Sequence, residues 1–166
     1  MSYLIEWVEQ SEVCLEPEEW TQVNTVAGLL YVQWRGKVIC ATTWSVSPVI
    51  QQSCLSTISE TKIDLHSLAV ISLNLLKRGT FFQHKVWAEM LKIPWGNTRT
   101  YSEIARQINS APRAVGNACR ANPYPWLIPC HRVVAMSNLG GYSGQTVGPL
   151  MAIKETLLAH EMMNQV

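Results

Sequence analysis

The chain has 166 residues, with 13 Lys and Arg against 12 Asp and Glu, a formal net charge of +1, and 48% apolar residues. That is enough apolar side chain to bury a core, and with charged residues at only 15% it excludes a disordered, collagenous or low-complexity chain. No apolar run approaches the roughly 18 residues that a bilayer span needs. The first residues, MSYLIEWVEQ, lack the basic and then apolar pattern of a secretory leader, so a cytoplasmic protein with no membrane partner is expected.

The charge is unevenly spread. Residues 1–66 carry three basic and eight acidic residues, net −5, whereas residues 67–166 carry ten basic and four acidic, net +6. The C-terminal part alone is basic enough to meet a polyanion, although an uneven scatter of solvated charge fits the count equally well. The five cysteines, Cys14, Cys40, Cys54, Cys119 and Cys130, are widely and irregularly spaced, with no C-x-x-C pair and no finger-like Cys/His cluster. Neither a metal site nor a disulfide framework is expected, and no cofactor motif is present. The cysteines read as free thiols, most of them small buried hydrophobes.

In chain order, Leu29–Trp34 and Val38–Trp44 flank Arg35-Gly36-Lys37. β-branched and aromatic residues around a Gly-containing turn predict a hairpin. Residues 45–76 are ambiguous: Ile71–Leu75 alternates like a strand, and Leu65–Leu76 can also be drawn as a helix. We take this stretch as extended, leading to a boundary at Lys77-Arg78-Gly79. Beyond it the signals are helical. Thr80-Phe81-Phe82-Gln83 is a capping box, and Phe82, Val86 and Met90 recur at helical spacing, which predicts a helix over 81–92 stopped by Pro94-Trp95-Gly96. Thr100-Tyr101-Ser102-Glu103 is a second capping box, opening a helix through about Gln107. An Asn109-Ser110 turn follows, with Pro112 in the first turn of a third helix that Asn122-Pro123 ends. Two short helices across a tight turn make a helix-turn-helix candidate, with Arg113 and Arg120 on the second helix among small Ala114, Gly116 and Ala118. An αα-hairpin packed in a core fits the same pattern.

Leu127–Val134 sets Cys130, His131 and Arg132 side by side among apolar residues. The thiolate is the reactive form, so from a free pKa of about 8.5 Cys130 needs help, which the neighbouring imidazole of His131 or guanidinium of Arg132 could supply. Neighbours on an extended chain face opposite ways, so His131 reaches Cys130 only through a turn or a bridging water. On pattern alone, a buried thiol beside a hydrogen-bonded histidine is the commoner occurrence.

The segment IPCHRVV, preceded by RANPYPWL and followed by GGYSG, closely resembles the active-site signature of the O6-alkylguanine-DNA alkyltransferases. The resemblance extends over residues 79–161, through Ile93-Pro94-Trp95-Gly96, Thr100-Tyr101, Arg113-Ala114-Val115-Gly116, Lys154-Glu155 and Leu157–Glu161. It implies an α+β fold. A small N-terminal α/β domain with an antiparallel sheet would span 1–76, and a mainly helical domain over 77–166 would hold the helix-turn-helix and the reactive cysteine. It implies direct-reversal repair, in which O6-alkylguanine in duplex DNA gives its alkyl group irreversibly to the protein, with O4-alkylthymine an open alternative. Cys130 would be the acceptor, His131 the base acting through water, Glu161 its orienting carboxylate, Asn122 the hinge asparagine, and Tyr101 the donor to N3 of the leaving guanine. Arg113 would enter the duplex in place of the flipped nucleotide, with Ala114, Gly116 and Thr100 also at the DNA. Pro125, Val133, Tyr142 and Ser143 would line the guanine pocket. The implied partner is double-stranded DNA, met in the minor groove with little sequence specificity by a monomer. Cys130 separates the chain from alkyltransferase-like damage sensors, which lack the acceptor. Cys14, Cys40, Cys54 and His66 show no convincing match to the metal site of some relatives.

Overall fold

The computed structural model describes residues 2–13, 15, 17–46, 58, 59 and 70–164. They fall into two compact units, Met1–Arg78 and Gly79–Val166.

Among the described residues, the first unit is a six-stranded sheet in the order β1-β6-β4-β3-β2-β5, built from β1 (Ser2–Val8), β2 (Glu18–Thr25), β3 (Gly28–Arg35), β4 (Val38–Trp44), β5 (Ile58–Ser59) and β6 (Val70–Leu76), with one helical turn, α1 (Gln10–Val13). Strands β2, β3 and β4 form the expected antiparallel ladder. The predicted hairpin turn falls between β3 and β4, where Gly36 takes φ +56, a conformation that costs glycine little. Alternate β3 side chains, Leu30 and Val32, are buried, the period of a strand with one face on the core. The sheet also has parallel pairings: β1 with β6 from Ser2↔Val70 to Val8↔Leu76, β6 with β4, and β5 with β2. Local sequence carries no signal for such long-range pairs. The extended reading of 71–75 holds as β6, whereas Cys14, Cys54 and His66, and most of the ambiguous stretch from 47 to 69, lie outside the described residues.

The second unit contains α2 (Phe81–Leu91), β7 (Arg99–Thr100), α3 (Tyr101–Gln107), α4 (Pro112–Arg120), a 3-10 turn (Cys130–Arg132), β8 (Val133–Val134) and α5 (Pro149–Met163). Both capping boxes form. Thr80 Oγ1 accepts from Gln83 N and Gln83 Oε1 accepts from Thr80 N; Thr100 and Glu103 do the same for α3. Between α3 and α4, Asn109 takes φ +56, its N–H donates to Arg106 O, and Ser110 N donates to Ala105 O at 2.8 Å. This is a Schellman termination with asparagine in the left-handed position. The turn fixes α3 against α4, and Trp87 Nε1 donates to Ala118 O at 2.9 Å, tying α2 to α4. Val86, Met90, Ile104, Val115 and Ile128 are fully buried at the centre of this unit. Each contributes about 1.5–3 kcal/mol of transfer free energy.

Candidate active site

The reactive segment follows α4 through a loop whose conformation is strained and heavily bonded. Trp126 takes φ +78, unusual for so bulky a residue. Pro129 takes φ −78 and ψ 65, and Cys130 N donates to Ile128 O at 2.7 Å, the geometry of an inverse γ-turn. Asn122, just past α4, holds this loop at both ends: its Nδ2 donates to Ile128 O at 2.9 Å and its Oδ1 accepts from Tyr124 N at 3.0 Å. Its side chain also hydrogen-bonds the Cys130 thiol. Asn122 thus bonds the chain just past α4 to the backbone entering Cys130.

Cys130, His131 and Arg132 form a single 3-10 turn instead of the extended strand that the alternating-face argument assumed, and all three are buried. His131 Nε2 lies 2.8 Å from Glu161 Oε1. Arg132 grips the same carboxylate side-on, Nε to Oε2 at 2.8 Å and Nη2 to Oε1 at 3.0 Å, while Gly96 N donates to Oε2 at 3.2 Å. Arg132 Nη1 also donates to Ile93 O at 2.7 Å, and its guanidinium lies 5.5 Å from the Trp95 ring centroid. The Ile93–Gly96 helix stop therefore frames the carboxylate. Burial alone would raise the Glu161 pKa, but the hydrogen bonds and charges of His131 and Arg132 outweigh it and hold the carboxyl at about 2. Burial pushes His131 below its usual range, so the ring is neutral near pH 7; with Nε2–H committed to Glu161, the buried Nδ1 is an acceptor with no protein partner.

On the other side of the turn, Cys130 lines a cavity of about 150 Å³ together with Tyr101, Cys119, Arg120 and the loop 141–146. Burial raises the Cys130 thiol pKa, opposed by the Asn122 hydrogen bond and by Lys154. Tyr101 sits between glycines. A Cβ on Gly116 would lie 4.0 Å from its ring and one on Gly140 2.9 Å, so the phenol occupies a slot that larger residues would fill. Its hydroxyl donates to Gly141 O at 3.4 Å, and burial with the nearby thiols raises its pKa to about 12, keeping it a proton donor at neutral pH.

The other residues read from the sequence are placed as follows. Arg113 is exposed on the first turn of α4, with Ala114 and Gly116 half-buried behind it. The Thr100 side chain is the α3 cap, bonded to Glu103, and is not a free donor. Tyr142 and Ser143 line the cavity, but Pro125 and Val133 are not among its lining residues. Pro125 is buried in a bridge to Ile128, and Val133 is fully buried where β8 pairs with Arg99 of β7. Cys119, left without a role by the sequence, shares the cavity with Cys130, and its Sγ lies 3.6 Å from Met90 Sδ. No group of three metal-ligating side chains occurs among the described residues.

The sequence offers the Arg132 guanidinium only as a neighbour that lowers the Cys130 pKa, and it gives Lys154 no role. Lys154 is fully buried in α5, and its Nζ donates to Val133 O at 2.7 Å, Leu139 O at 2.6 Å and Gly141 O at 3.0 Å, joining the strand after Cys130 to the pocket loop. Burial lowers its pKa to about 8. A signal existed: Leu150, Lys154, Leu157 and Glu161 recur every three or four residues, which puts both charges on the buried stripe of α5.

A sequence model described as 6-O-methylguanine DNA methyltransferase, DNA binding domain, matches residues 81–163. A protein of Acanthamoeba polyphaga mimivirus, named a probable methylated-DNA–protein-cysteine methyltransferase, is 56% identical over 73 residues, 43% of this chain and 49% of that protein. The match spans about half the length of this curated relative. The Mycobacterium tuberculosis O6-methylguanine methyltransferase structure superposes with a TM-score of 0.73 at 28% identity, covering 90% of this chain and 96% of that one. A structure from the same organism, titled OGT in complex with DNA, gives 0.70 at 31% identity over 87% and 93%. No described helix is long and apolar enough to cross a membrane.

Proposed function

Because the chain belongs to the 6-O-methylguanine DNA methyltransferase family, we propose that it repairs O6-alkylguanine in duplex DNA by moving the alkyl group irreversibly onto Cys130. The observation that carries this reading is the placement of one thiol between an open cavity and a buried His131–Glu161–Arg132 assembly. A base inside a duplex is out of reach, so the lesion is flipped out at a cost of a few kcal/mol that damage reduces. Arg113, exposed at the start of α4, enters the vacated stack. Small residues behind it permit close approach, and binding through the minor groove with little sequence preference follows.

With the guanine in the cavity, a water bridges the Cys130 thiol to His131 Nδ1. The thiol proton passes to the ring, and Glu161 stabilises the imidazolium through Nε2. The permanent charge of Arg132 keeps Glu161 ionised before the proton arrives. Sγ attacks the alkyl carbon, the C–O6 bond breaks with its electron pair on the guanine, Tyr101 gives its proton to N3, and the proton held by His131 restores the phenol, so the guanine leaves neutral. The product is a thioether, which no group in the site reverses, so each molecule acts once. The protein acts as a monomer in the cytoplasm.

The test is intact mass after incubation with an O6-methylguanine duplex. One added methyl, absent in Cys130→Ser, is expected; tight binding without a mass change would contradict the proposal and favour a damage sensor.

A further inference from the structure

A proton donor must be held in place, yet the hydrogen bond from the Tyr101 hydroxyl to Gly141 O is long, at 3.4 Å. The ring is placed instead by the backbone behind it. A Cβ on Gly140 would lie 2.9 Å from Tyr101 Cε2, 3.1 Å from its hydroxyl oxygen and 3.3 Å from Ala135 N, so the Leu139–Gly141 backbone packs directly on the phenol. Gly140 N donates to Asn138 Oδ1 at 2.7 Å, and the carbonyls on either side of Gly140, Leu139 O and Gly141 O, accept from Lys154 Nζ at 2.6 and 3.0 Å. The third Lys154 proton goes to Val133 O at 2.7 Å, immediately after the turn that begins at Cys130. One buried cation therefore sets the spacing between the reactive turn and the backbone that carries the phenol. An ammonium has three donors and uses all of them here, whereas a neutral amine has two and would turn its lone pair on the third carbonyl.

We propose that Lys154 is the positioning residue of the proton donor: its ammonium, bonded to the Val133, Leu139 and Gly141 carbonyls, holds the Tyr101 phenol in place, and alkyl transfer slows when that ammonium loses its proton. This rests on the reading of Cys130 as the acceptor and Tyr101 as the donor to N3. Lys154 does not line the cavity, so it acts through the loop and not on the lesion. Burial lowers its pKa to about 8. The titratable groups whose charge it meets on other elements are Cys119 of α4 and Cys130 and His131 of the reactive turn, with Tyr101 of α3 across Gly141 O. Burial raises both thiols above their usual range and lowers His131, Tyr101 stands at about 12, and Glu161, seven residues on in α5, is ionised. Lys154 is thus the member of this set that changes charge as pH passes 8.

The test measures the first-order rate of methyl transfer from a saturating O6-methylguanine duplex to the full chain, for the unsubstituted protein, Lys154→Met, Tyr101→Phe and the double variant. Lys154→Met should slow transfer about a hundredfold, the cost of misplacing a reacting group by about 1 Å. Tyr101→Phe removes the group that Lys154 positions, so adding Lys154→Met to it should cost less than about threefold more. An equal loss in both backgrounds overturns the proposal and assigns Lys154 to the thiol or to the fold alone. The second measurement needs no lysine variant: the ratio of the unsubstituted rate to the Tyr101→Phe rate, in which ionisation of the thiol cancels, should fall as pH rises through about 8. A ratio that stays level across that range overturns the proposal even where Lys154→Met fails to fold. No methyl transfer by the unsubstituted protein at any pH would overturn the acceptor reading itself.

Discussion

In the unit Met1–Arg78 the described buried polar residues are Thr21 and Thr42, set in a sheet whose core is Leu30, Val32, Trp44, Leu75 and Leu76. In Gly79–Val166 the buried polar residues are His131, Arg132, Lys154 and Glu161. Small hydroxyls bury at little cost once bonded, whereas isolated buried charges are expensive and are tolerated only when paired and hydrogen-bonded. In the second unit the buried charges are hydrogen-bonded: Glu161 accepts from His131, Arg132 and Gly96, and Lys154, with no carboxylate partner, spends all three donors on backbone carbonyls. Among the described residues, the core of the first unit holds no charged side chain. The second spends stability on a charged scaffold around one thiol.

The largest expected effect comes from removing the shared carboxylate. Glu161→Ala leaves the buried Arg132 guanidinium unpaired and should cost about 3–5 kcal/mol of unfolding free energy, measured by denaturant unfolding, and should slow alkyl transfer as well. Leu30→Ala should cost roughly 3 kcal/mol by opening a cavity, yet leave the transfer rate per folded molecule unchanged. If it slowed transfer as much as Glu161→Ala, the two units would not divide the labour as described.

Acid sharpens the contrast further. Glu161 has a folded pKa of about 2 against 4.5 for an ordinary glutamate, so its ionised form favours the native state. That contribution is complete above pH 4.5 and is lost as pH falls from 4.5 through about 2. Unfolding monitored over this window should show a loss in the unsubstituted protein that Glu161→Gln lacks. The smallest effect is at the caps: Thr80→Ala and Thr100→Ala should each cost about 1 kcal/mol, with Thr100→Ala also affecting transfer because Tyr101 is the first residue of α3.

These differences also explain what the sequence disclosed. Capping boxes, the Asn109 turn and the β3–β4 hairpin are local, set by residues within a few positions of one another, and they appear where their patterns predict them. The proposed acceptor, its histidine and its carboxylate are read from the ordered signature that spans residues 79–161. The β1–β6 pairing joins residues 68 positions apart, and no local pattern encodes it. Arg132 and Lys154 act through contacts 29 and 21 residues away, on Glu161 and Val133, so their work appears only when the chain is folded.

Cys119 supplies the internal control for the central claim, since it is a second buried thiol on the same cavity but lacks the Asn122 hydrogen bond given to Cys130. Peptide mapping by mass spectrometry after exposure to excess O6-methylguanine duplex tests the assignment most directly. The account predicts one methyl per protein molecule, all of it on Cys130 and none on Cys119. Methyl on Cys119, or repeated turnover with both thiols unmodified, would contradict it.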